Sequence, residues 1–178
     1  MAEKKQRYEV ILAGSGGQGL VLSGIMLAEA AILEGKNAVQ TVSYGTYVRG
    51  GFSMAGVIID SEEIIFQEVE NADVVLALTE ETMEKFEPLA KQGTALLYDT
   101  TLIKERTGKG LFGHPFTEMA NKLGNVGMVN IIALGYMAKK HRIVETASLA
   151  EVIRRRFSGK TREANLKALD AGGELAEA

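Results

Sequence analysis

Glycines form the first candidate binding element of this sequence. The segment Gly14-Ser15-Gly16-Gly17-Gln18-Gly19 satisfies the pattern G-x-G-x-x-G and stands between an apolar run and a stretch with helical spacing. Glycine allows the chain to turn tightly, and the N-terminus of a following helix offers free N–H groups and partial positive charge to an anion. The segment, called the glycine turn below, therefore predicts an anion site, with the phosphates of a nucleotide as the first candidate.

A dinucleotide site needs a second element, which this sequence lacks. An Asp or Glu about 20 residues after the glycines normally binds the ribose hydroxyls of NAD. No acidic residue occurs between Lys36 and Ile59, and Arg49 is the only basic residue between them that could meet a 2′-phosphate. NAD(P) binding is therefore disfavoured. Two interpretations of the glycine turn stay open. It is either a tight turn that binds nothing, or a site for another phosphate-bearing ligand or for a partner subunit.

The sequence contains few residues that could bind a metal ion or act as a nucleophile. The sequence contains no cysteine, which excludes thiolate nucleophiles, zinc–thiolate sites and Fe–S ligation by this chain. The two histidines, His114 and His141, lack metal-ligand spacing, and His141 is expected at a solvated helix end. Ser158-Gly159-Lys160-Thr161 ends like a P-loop, but Arg154 stands where the first glycine is required and the segment lies between two predicted helices.

Strands and helices alternate along the chain, which indicates a largely parallel sheet covered on both faces. We predict one domain over residues 1–178, a three-layer α/β/α Rossmann-like fold with a mixed, mostly parallel sheet and a helical C-terminal part. In the first helix, Leu22, Ile25, Met26, Ala30 and Leu33 are expected to face the core, with Gly35 as the stop. The predicted strands are 8–13, 37–43, 52–60, 63–66, 73–78, 94–98 and 108–112. The predicted helices are 20–33, one carrying Met83, Phe86 and Leu89, then 116–123, 126–139, 149–157 and one from 160 to near the end.

Composition excludes several partners. The formal net charge of −3 leaves no basic surface for nucleic acid, and 46% apolar with 24% charged residues is ordinary for a globular protein. No apolar stretch approaches the roughly 20 residues that a membrane-spanning helix needs. The apolar run after the charged N-terminus is too short for a signal peptide. We therefore expect a cytoplasmic protein without a membrane or nucleic-acid partner.

A second loop, residues 43–51 (Ser-Tyr-Gly-Thr-Tyr-Val-Arg-Gly-Gly), is also rich in glycine. Its glycines allow close approach to another backbone, and Tyr44, Tyr47 and Arg49 are residue types that often anchor interfaces. Gly-Gly-Gln-Gly after a first strand, followed by Ser-Tyr-Gly-x-x-x-Arg-Gly-Gly after a second, resembles the gamma subunit of the 2-oxoacid:acceptor (ferredoxin) oxidoreductases.

The resemblance extends over nearly the whole chain. One departure is Thr46, where the family often has a proline. The further segments that resemble the family are Val57–Ile59, Ser61-Glu62-Glu63-Ile64, Asn71-Ala72-Asp73, Gly124-Asn125, Asn130, Leu134-Gly135, Asn165-Leu166-Lys167-Ala168 and Gly172.

The resemblance implies a multi-subunit enzyme that decarboxylates a 2-oxoacid oxidatively, forms an acyl-coenzyme A and passes electrons to ferredoxin or a similar acceptor. Thiamine diphosphate, Mg²⁺, Fe–S clusters and coenzyme A are then used through alpha, beta and possibly delta subunits, and this chain alone holds no cofactor and is inactive. It would build the assembly and help to shape the coenzyme A or substrate access region. The expected contact residues are the glycine turn together with Tyr44, Gly45, Arg49, Gly50 and Gly51, and none of them is expected to be catalytic.

The same resemblance is closer to the 2-oxoglutarate or branched-chain members of the family than to the pyruvate members, and 2-oxoglutarate is the substrate that we expect for the complex. Two alternatives from other classes stay open at this point. One is a stand-alone Rossmann-type nucleotide-binding protein or NAD(P)-dependent oxidoreductase. The other is a structural or sensing module in which the glycine turn is only a turn.

Overall fold

The computed structural model describes residues 5–45 and 51–178, over which strands and helices alternate as predicted. The strands are β1 (Arg7–Ser15), β2 (Asn37–Tyr44), β3 (Phe52–Asp60), β4 (Val74–Ala77), β5 (Ala95–Asp99) and β6 (Leu111–His114). The helices are α1 (Leu20–Leu33), α2 (Glu80–Ala90), α3 (Phe116–Lys122), α4 (Val129–His141), α5 (Thr146–Arg156) and α6 (Gly159–Leu175), and a short 3₁₀ turn, Val126–Met128, precedes α4. No helix within these described ranges is long and apolar enough to cross a membrane.

The strands form one mixed sheet in the order β2-β3-β1-β4-β5-β6. β1, β4, β5 and β6 pair in parallel, whereas β3 pairs antiparallel with both β1 and β2. Every strand except β3 therefore points in the same direction, as the predicted mostly parallel sheet requires. The central strands are continuous apolar runs because both faces of the sheet are covered.

Side chains of β1 alternate between two separate cores. Val10 and Leu12 pack on one face, against α1 and the helices of the C-terminal part. Ile11 and Ala13 pack on the other face, in a smaller cluster that includes Met83 of α2. The three-layer α/β/α architecture predicted from the sequence is confirmed.

The buried side of α1 differs from the predicted one. Met26 and Ala30 are buried as expected, but Leu33 is 40% exposed. The sequence of α1 is apolar almost all round, so its periodicity does not single out one side. The helix packs on both the sheet and α5, which gives a broader buried band made of Leu20, Ser23, Gly24, Met26, Leu27, Ala30 and Ala31.

The predicted strand at 63–66 is wrong. These residues join no ladder, and Ile65 is 88% exposed. β3 already pairs with a strand on each side, so the chain after Asp60 has no free edge beside it and must cross to begin β4 next to β1. The last strand also begins later than predicted, at Leu111, after Gly110 in a left-handed conformation with φ 82°.

Candidate functional site

The glycine turn follows β1 at the carboxyl edge of the parallel strands, where open α/β sheets bind ligands. Gly16 N donates a hydrogen bond to Gly51 O at 2.9 Å, and Gly45 N donates one to Phe52 O at 2.8 Å. The first bond places the glycine turn against Gly51 of the second loop, and the second bond pairs the start of that loop with β3. Arg49 and Gly50, which the sequence also predicts as contact residues, lie outside the described residues.

Glycine conformations shape the turn that leads into α1. Gly17 and Gly19 have φ of 98° and 73°, in the left-handed region that favours glycine. The first α-helical hydrogen bond runs from Ser23 N to Gly19 O at 2.9 Å, so the N–H groups of Leu20 and the next two residues precede the helical ladder. Across this described segment α1 has neither a side-chain cap nor an acidic residue in its first turn. These N–H groups can therefore serve an anion.

The side chain of Gln18 stabilises the turn through two hydrogen bonds. Its Oε1 accepts from Ser15 N at 2.7 Å, and its Nε2 donates to Leu78 O at 3.3 Å, just after β4. A Cβ atom on Gly14 would lie 2.2 Å from that Oε1, so a larger residue there would displace the Gln18 side chain. Gly14 and Gln18 shape the turn, while Gly16 and Gly17 are exposed to solvent.

A buried amide on α4 lies beneath the turn. Asn130 is 3% exposed, and its Nδ2 donates to Gly19 O at 3.2 Å and to Ser23 Oγ at 3.0 Å. The sequence reasoning did not assign this residue to the site. Asn130 is a polar residue in an otherwise apolar stretch of α4, and the residues from Val129 to Ala138 are all buried. A single amide in such a stretch is the sequence feature that could have indicated its role.

A lysine of α2 adds positive charge near both loops. Lys85 Nζ lies 4.4 Å from the centre of the Phe52 ring, and Phe52 pairs in register with Ser15 at the end of the glycine turn's strand. Tyr44, which pairs with Ser53 of the same strand, is 69% exposed beside this region. No local sequence pattern indicates that Lys85 reaches the site, because α2 follows in the chain only after three further strands.

The sheet order does not suit a dinucleotide. β3 separates β1 from β2, so the end of β2 lies two strands from the glycine turn, or about 10 Å. Asp99, the acidic residue that ends β5, is fully buried and accepts from Thr101 N at 3.0 Å and from Thr117 N at 3.1 Å. It fixes the chain around α3 and is not free to bind ribose.

The histidines lie away from the glycine turn in an aromatic cluster, and the prediction of a solvated His141 is wrong. Its ring centre is 5.8 Å from that of Phe112 and 6.2 Å from that of Tyr136. Burial, with a smaller contribution from Lys140, lowers the pKa of His141 to about 4. Burial also lowers the pKa of His114, whose ring centre is 4.4 Å from that of Tyr136.

No group of three His, Cys, Asp or Glu residues in the described ranges could hold a metal ion. The SGKT segment lies at the start of α6, directly after α5 and not after a strand, so the P-loop reading is excluded as predicted.

Comparison with known proteins identifies the family. Residues 9–175 match the family described as pyruvate ferredoxin/flavodoxin oxidoreductase. The chain is 37% identical to the 2-oxoglutarate synthase subunit KorC of Archaeoglobus fulgidus, over 96% of this chain and 88% of the relative. It is 35% identical to the KorC subunit of Methanocaldococcus jannaschii, over 97% of this chain and 96% of the relative.

Solved structures agree with these relatives. A keto/oxoacid ferredoxin oxidoreductase gamma subunit from Geobacter sulfurreducens superposes with a TM-score of 0.82 at 34% identity, over 96% of this chain and 98% of that chain. The 2-oxoglutarate:ferredoxin oxidoreductase of Magnetococcus marinus, solved with 2-oxoglutarate, coenzyme A and succinyl-CoA bound, superposes with a TM-score of 0.87 at 27% identity, over 98% of this chain and 32% of that chain. The chain therefore belongs to the pyruvate ferredoxin/flavodoxin oxidoreductase family, as a gamma subunit of a multi-subunit 2-oxoacid:ferredoxin oxidoreductase.

Proposed function

We propose that this chain is the gamma subunit of a complex that oxidises 2-oxoglutarate and that its glycine turn binds the phosphates of coenzyme A. The observation that carries the substrate assignment is the near full-length identity of 37% and 35% to two subunits named for 2-oxoglutarate synthase. The coenzyme A assignment is supported by the geometry of the turn and by the similar Magnetococcus enzyme, which was solved with coenzyme A.

In the proposed reaction, 2-oxoglutarate and the thiol of coenzyme A give succinyl-coenzyme A, carbon dioxide, one proton and two electrons, which pass to ferredoxin or a similar acceptor. Thiamine diphosphate with Mg²⁺ supplies the carbon chemistry, and Fe–S clusters carry the electrons. We assign the clusters to other subunits because this chain has no cysteine to ligate them. From the family resemblance we also assign thiamine diphosphate and Mg²⁺ to alpha and beta subunits and, where present, a delta subunit.

The residues of the glycine turn fit the phosphates of coenzyme A by their chemistry. Uncapped N–H groups at the start of α1 donate to anionic oxygens, and the exposed Gly16 and Gly17 leave room for a phosphate to approach the backbone. Lys85 adds a cation nearby, and the adjoining second loop contains Arg49. In this role the chain binds and orients coenzyme A while partner subunits hold the reacting carbon.

Reconstitution with partner subunits tests the substrate. We expect kcat/KM to be highest for 2-oxoglutarate when it is compared with pyruvate and 2-oxoisovalerate. The isolated chain should show no Fe–S absorbance and no 2-oxoacid-dependent dye reduction. A preference for either of the other acids would overturn the substrate assignment, and turnover by the isolated chain would overturn the subunit assignment.

A matched pair of glycine variants tests the coenzyme A site. Gly17 and Gly93 both have strongly positive φ, 98° and 108°, and a Cβ atom would meet no neighbour at either position. Alanine should therefore strain the backbone similarly at both. Gly93 lies in the connection from α2 to β5, before its strand rather than after it. We expect Gly17→Ala to raise the KM for coenzyme A about tenfold and Gly93→Ala to leave it unchanged. An equal KM in both variants would mean that the turn does not bind coenzyme A.

A further inference from the structure

We infer that Asn130 is the positioning residue of the glycine turn, holding the first helical N–H groups of α1 in the direction in which they meet a phosphate. This inference rests on the proposed binding of coenzyme A at the turn. Asn130 is fully enclosed and would not touch the ligand itself; it acts through the peptide bond between Gly19 and Leu20.

The Gly19 carbonyl accepts three hydrogen bonds. The donors are Ser23 N at 2.9 Å, Ser23 Oγ at 3.0 Å and Asn130 Nδ2 at 3.2 Å. The second N–H of the same Asn130 amide donates to Ser23 Oγ at 3.0 Å. The orientation of this carbonyl is therefore fixed from two helices, α1 and α4, that are far apart in sequence.

Fixing the carbonyl also fixes an N–H group. In a trans peptide the C=O and N–H groups point in opposite directions, so holding Gly19 O against Ser23 and Asn130 turns the Leu20 N–H toward the glycine turn. Gly19 has a left-handed φ of 73° and joins the turn to a helix that has no side-chain cap of its own. A donor that is already oriented binds an anion without the cost of ordering it first.

Gly19 and Asn130 are in close contact. A Cβ atom on Gly19 would lie 2.5 Å from Asn130 Nδ2, so a larger residue there would displace the amide from its present position. Asn130 Oδ1 is buried and has no hydrogen-bond partner among the described residues. A buried oxygen left unpaired is unfavourable for folding, so stability alone does not account for an asparagine at this position in an apolar helix.

The test uses the reconstituted complex with Asn130→Leu, which keeps a similar volume and removes both donors. We expect the KM for coenzyme A to rise about tenfold, with kcat at saturating coenzyme A and the thermal midpoint close to those of the wild type. A merely structural residue would instead lower the thermal midpoint and leave the ratio of KM to kcat unchanged. Asn165→Leu, at a second buried asparagine on α6, is the matched control and should leave the KM for coenzyme A unchanged.

Asn130→Asp provides a second readout that does not depend on overall stability. The protonated carboxyl can still donate one hydrogen bond to Gly19 O, whereas the ionised form can only repel it. The KM for coenzyme A of this variant should therefore rise with pH more steeply than that of the wild type. Parallel pH profiles, or a leucine variant with wild-type KM while Gly17→Ala is impaired, would overturn the role of Asn130 alone. A Gly17→Ala complex with wild-type KM would instead overturn the proposed coenzyme A site.

Discussion

Gly172 of α6 lies so close to Ile132 of α4 that a Cβ atom on the glycine would stand 1.9 Å from the Ile132 carbonyl oxygen. The relationship is reciprocal, since a Cβ atom on Gly135 of α4 would lie 2.1 Å from the Leu169 carbonyl oxygen of α6. Backbone therefore meets backbone where the two helices cross. This close approach fixes the position of α4, which carries Asn130, relative to α6.

We expect Gly172→Ala to destabilise the chain by about 3 kcal/mol, because the added methyl group must push two helix backbones apart. Gly173 is the matched control on the same helix, as a Cβ atom there meets nothing within 4 Å. Gly173→Ala should stabilise the chain by about 0.5–1 kcal/mol through helix propensity. Urea unfolding of both variants measures the difference, and equal effects would contradict the close crossing of α4 and α6.

Local patterns predicted the parts of the site that are contiguous in sequence. The glycine turn, its position between β1 and α1, and the stop at Gly35 follow from glycine conformation and helical spacing, and the structure gives Gly35 a left-handed φ of 75°. The resemblance to the gamma subunits was carried by the same local motifs. The absence of a carboxylate after β2 disfavours a dinucleotide site, and the position of β3 between β1 and β2 is a second argument against one.

Features that depend on distant pairing could not be read from the sequence. The position of β3 between β1 and β2 is set by ladder partners, not by its own residues. Asn130 meets Gly19 across 111 residues of chain, and Lys85 reaches Phe52 only after folding. The incorrect strand at 63–66 arose for the same reason, since β-forming residues make a strand only where a free edge exists.

Glu9 should hold the segment that leads into β4. It is 6% exposed, and its Oε2 accepts from Glu70 N at 2.8 Å and Asn71 N at 2.9 Å, while Arg7 Nε donates to its Oε1 at 2.8 Å. Burial opposes ionisation, but these hydrogen bonds outweigh it and lower the pKa of Glu9. Its contribution to the free energy of unfolding is therefore present above the unfolded pKa of about 4.3 and is lost as the pH falls through the lower folded value.

Glu9→Gln should reduce the free energy of unfolding at pH 7 by about 1–3 kcal/mol, because one buried acceptor loses its charge and its fit to two N–H donors. The difference from the wild type should shrink below pH 4. Glu151→Gln is the control, since Glu151 forms an exposed pair with Arg155, and no measurable change is expected. A loss from Glu9→Gln that is the same at pH 7 and pH 3 would contradict the linkage.

His141 should make the chain less stable in mild acid. Its folded pKa of about 4 lies below the ordinary value of 6.5, so the unfolded chain binds more protons between these values. The stability that it contributes is complete above pH 6.5 and is lost as the pH falls toward 4. We expect a loss of about 1–2 kcal/mol over this window, after allowance for the partial exposure of the ring.

His141→Phe keeps an aromatic ring against Phe112 and Tyr136 but cannot titrate, so it should remove most of this pH dependence. Urea unfolding between pH 7 and pH 4.5 measures the slope, and an NMR titration of the ring protons measures the pKa directly. Glu9 does not affect the comparison, because its loss begins at lower pH. His114, whose pKa burial also lowers, contributes to the slope of both proteins, so the difference between the two slopes reports His141. An unchanged slope in the variant, or a His141 pKa near 6.5, would show that the ring is solvated.

Lys85 should strengthen coenzyme A binding through its charge. Its position over Phe52 places a cation beside the glycine turn and the second loop, and an exposed cation of this kind contributes up to about 1 kcal/mol to an ionic interaction. Lys85→Met should therefore raise the KM for coenzyme A of the reconstituted complex by up to about fivefold, with kcat little changed. Lys91→Met, which removes the same charge just after the C-terminal end of α2, should leave the KM unchanged. Because salt screens exposed charges, the KM of the wild type should rise with ionic strength more steeply than that of Lys85→Met.

The two lysine variants are compared directly at each salt concentration. If Lys85→Met and Lys91→Met show the same KM and the same salt dependence, Lys85 makes no contribution to the site. The positive charge is then supplied elsewhere in the complex.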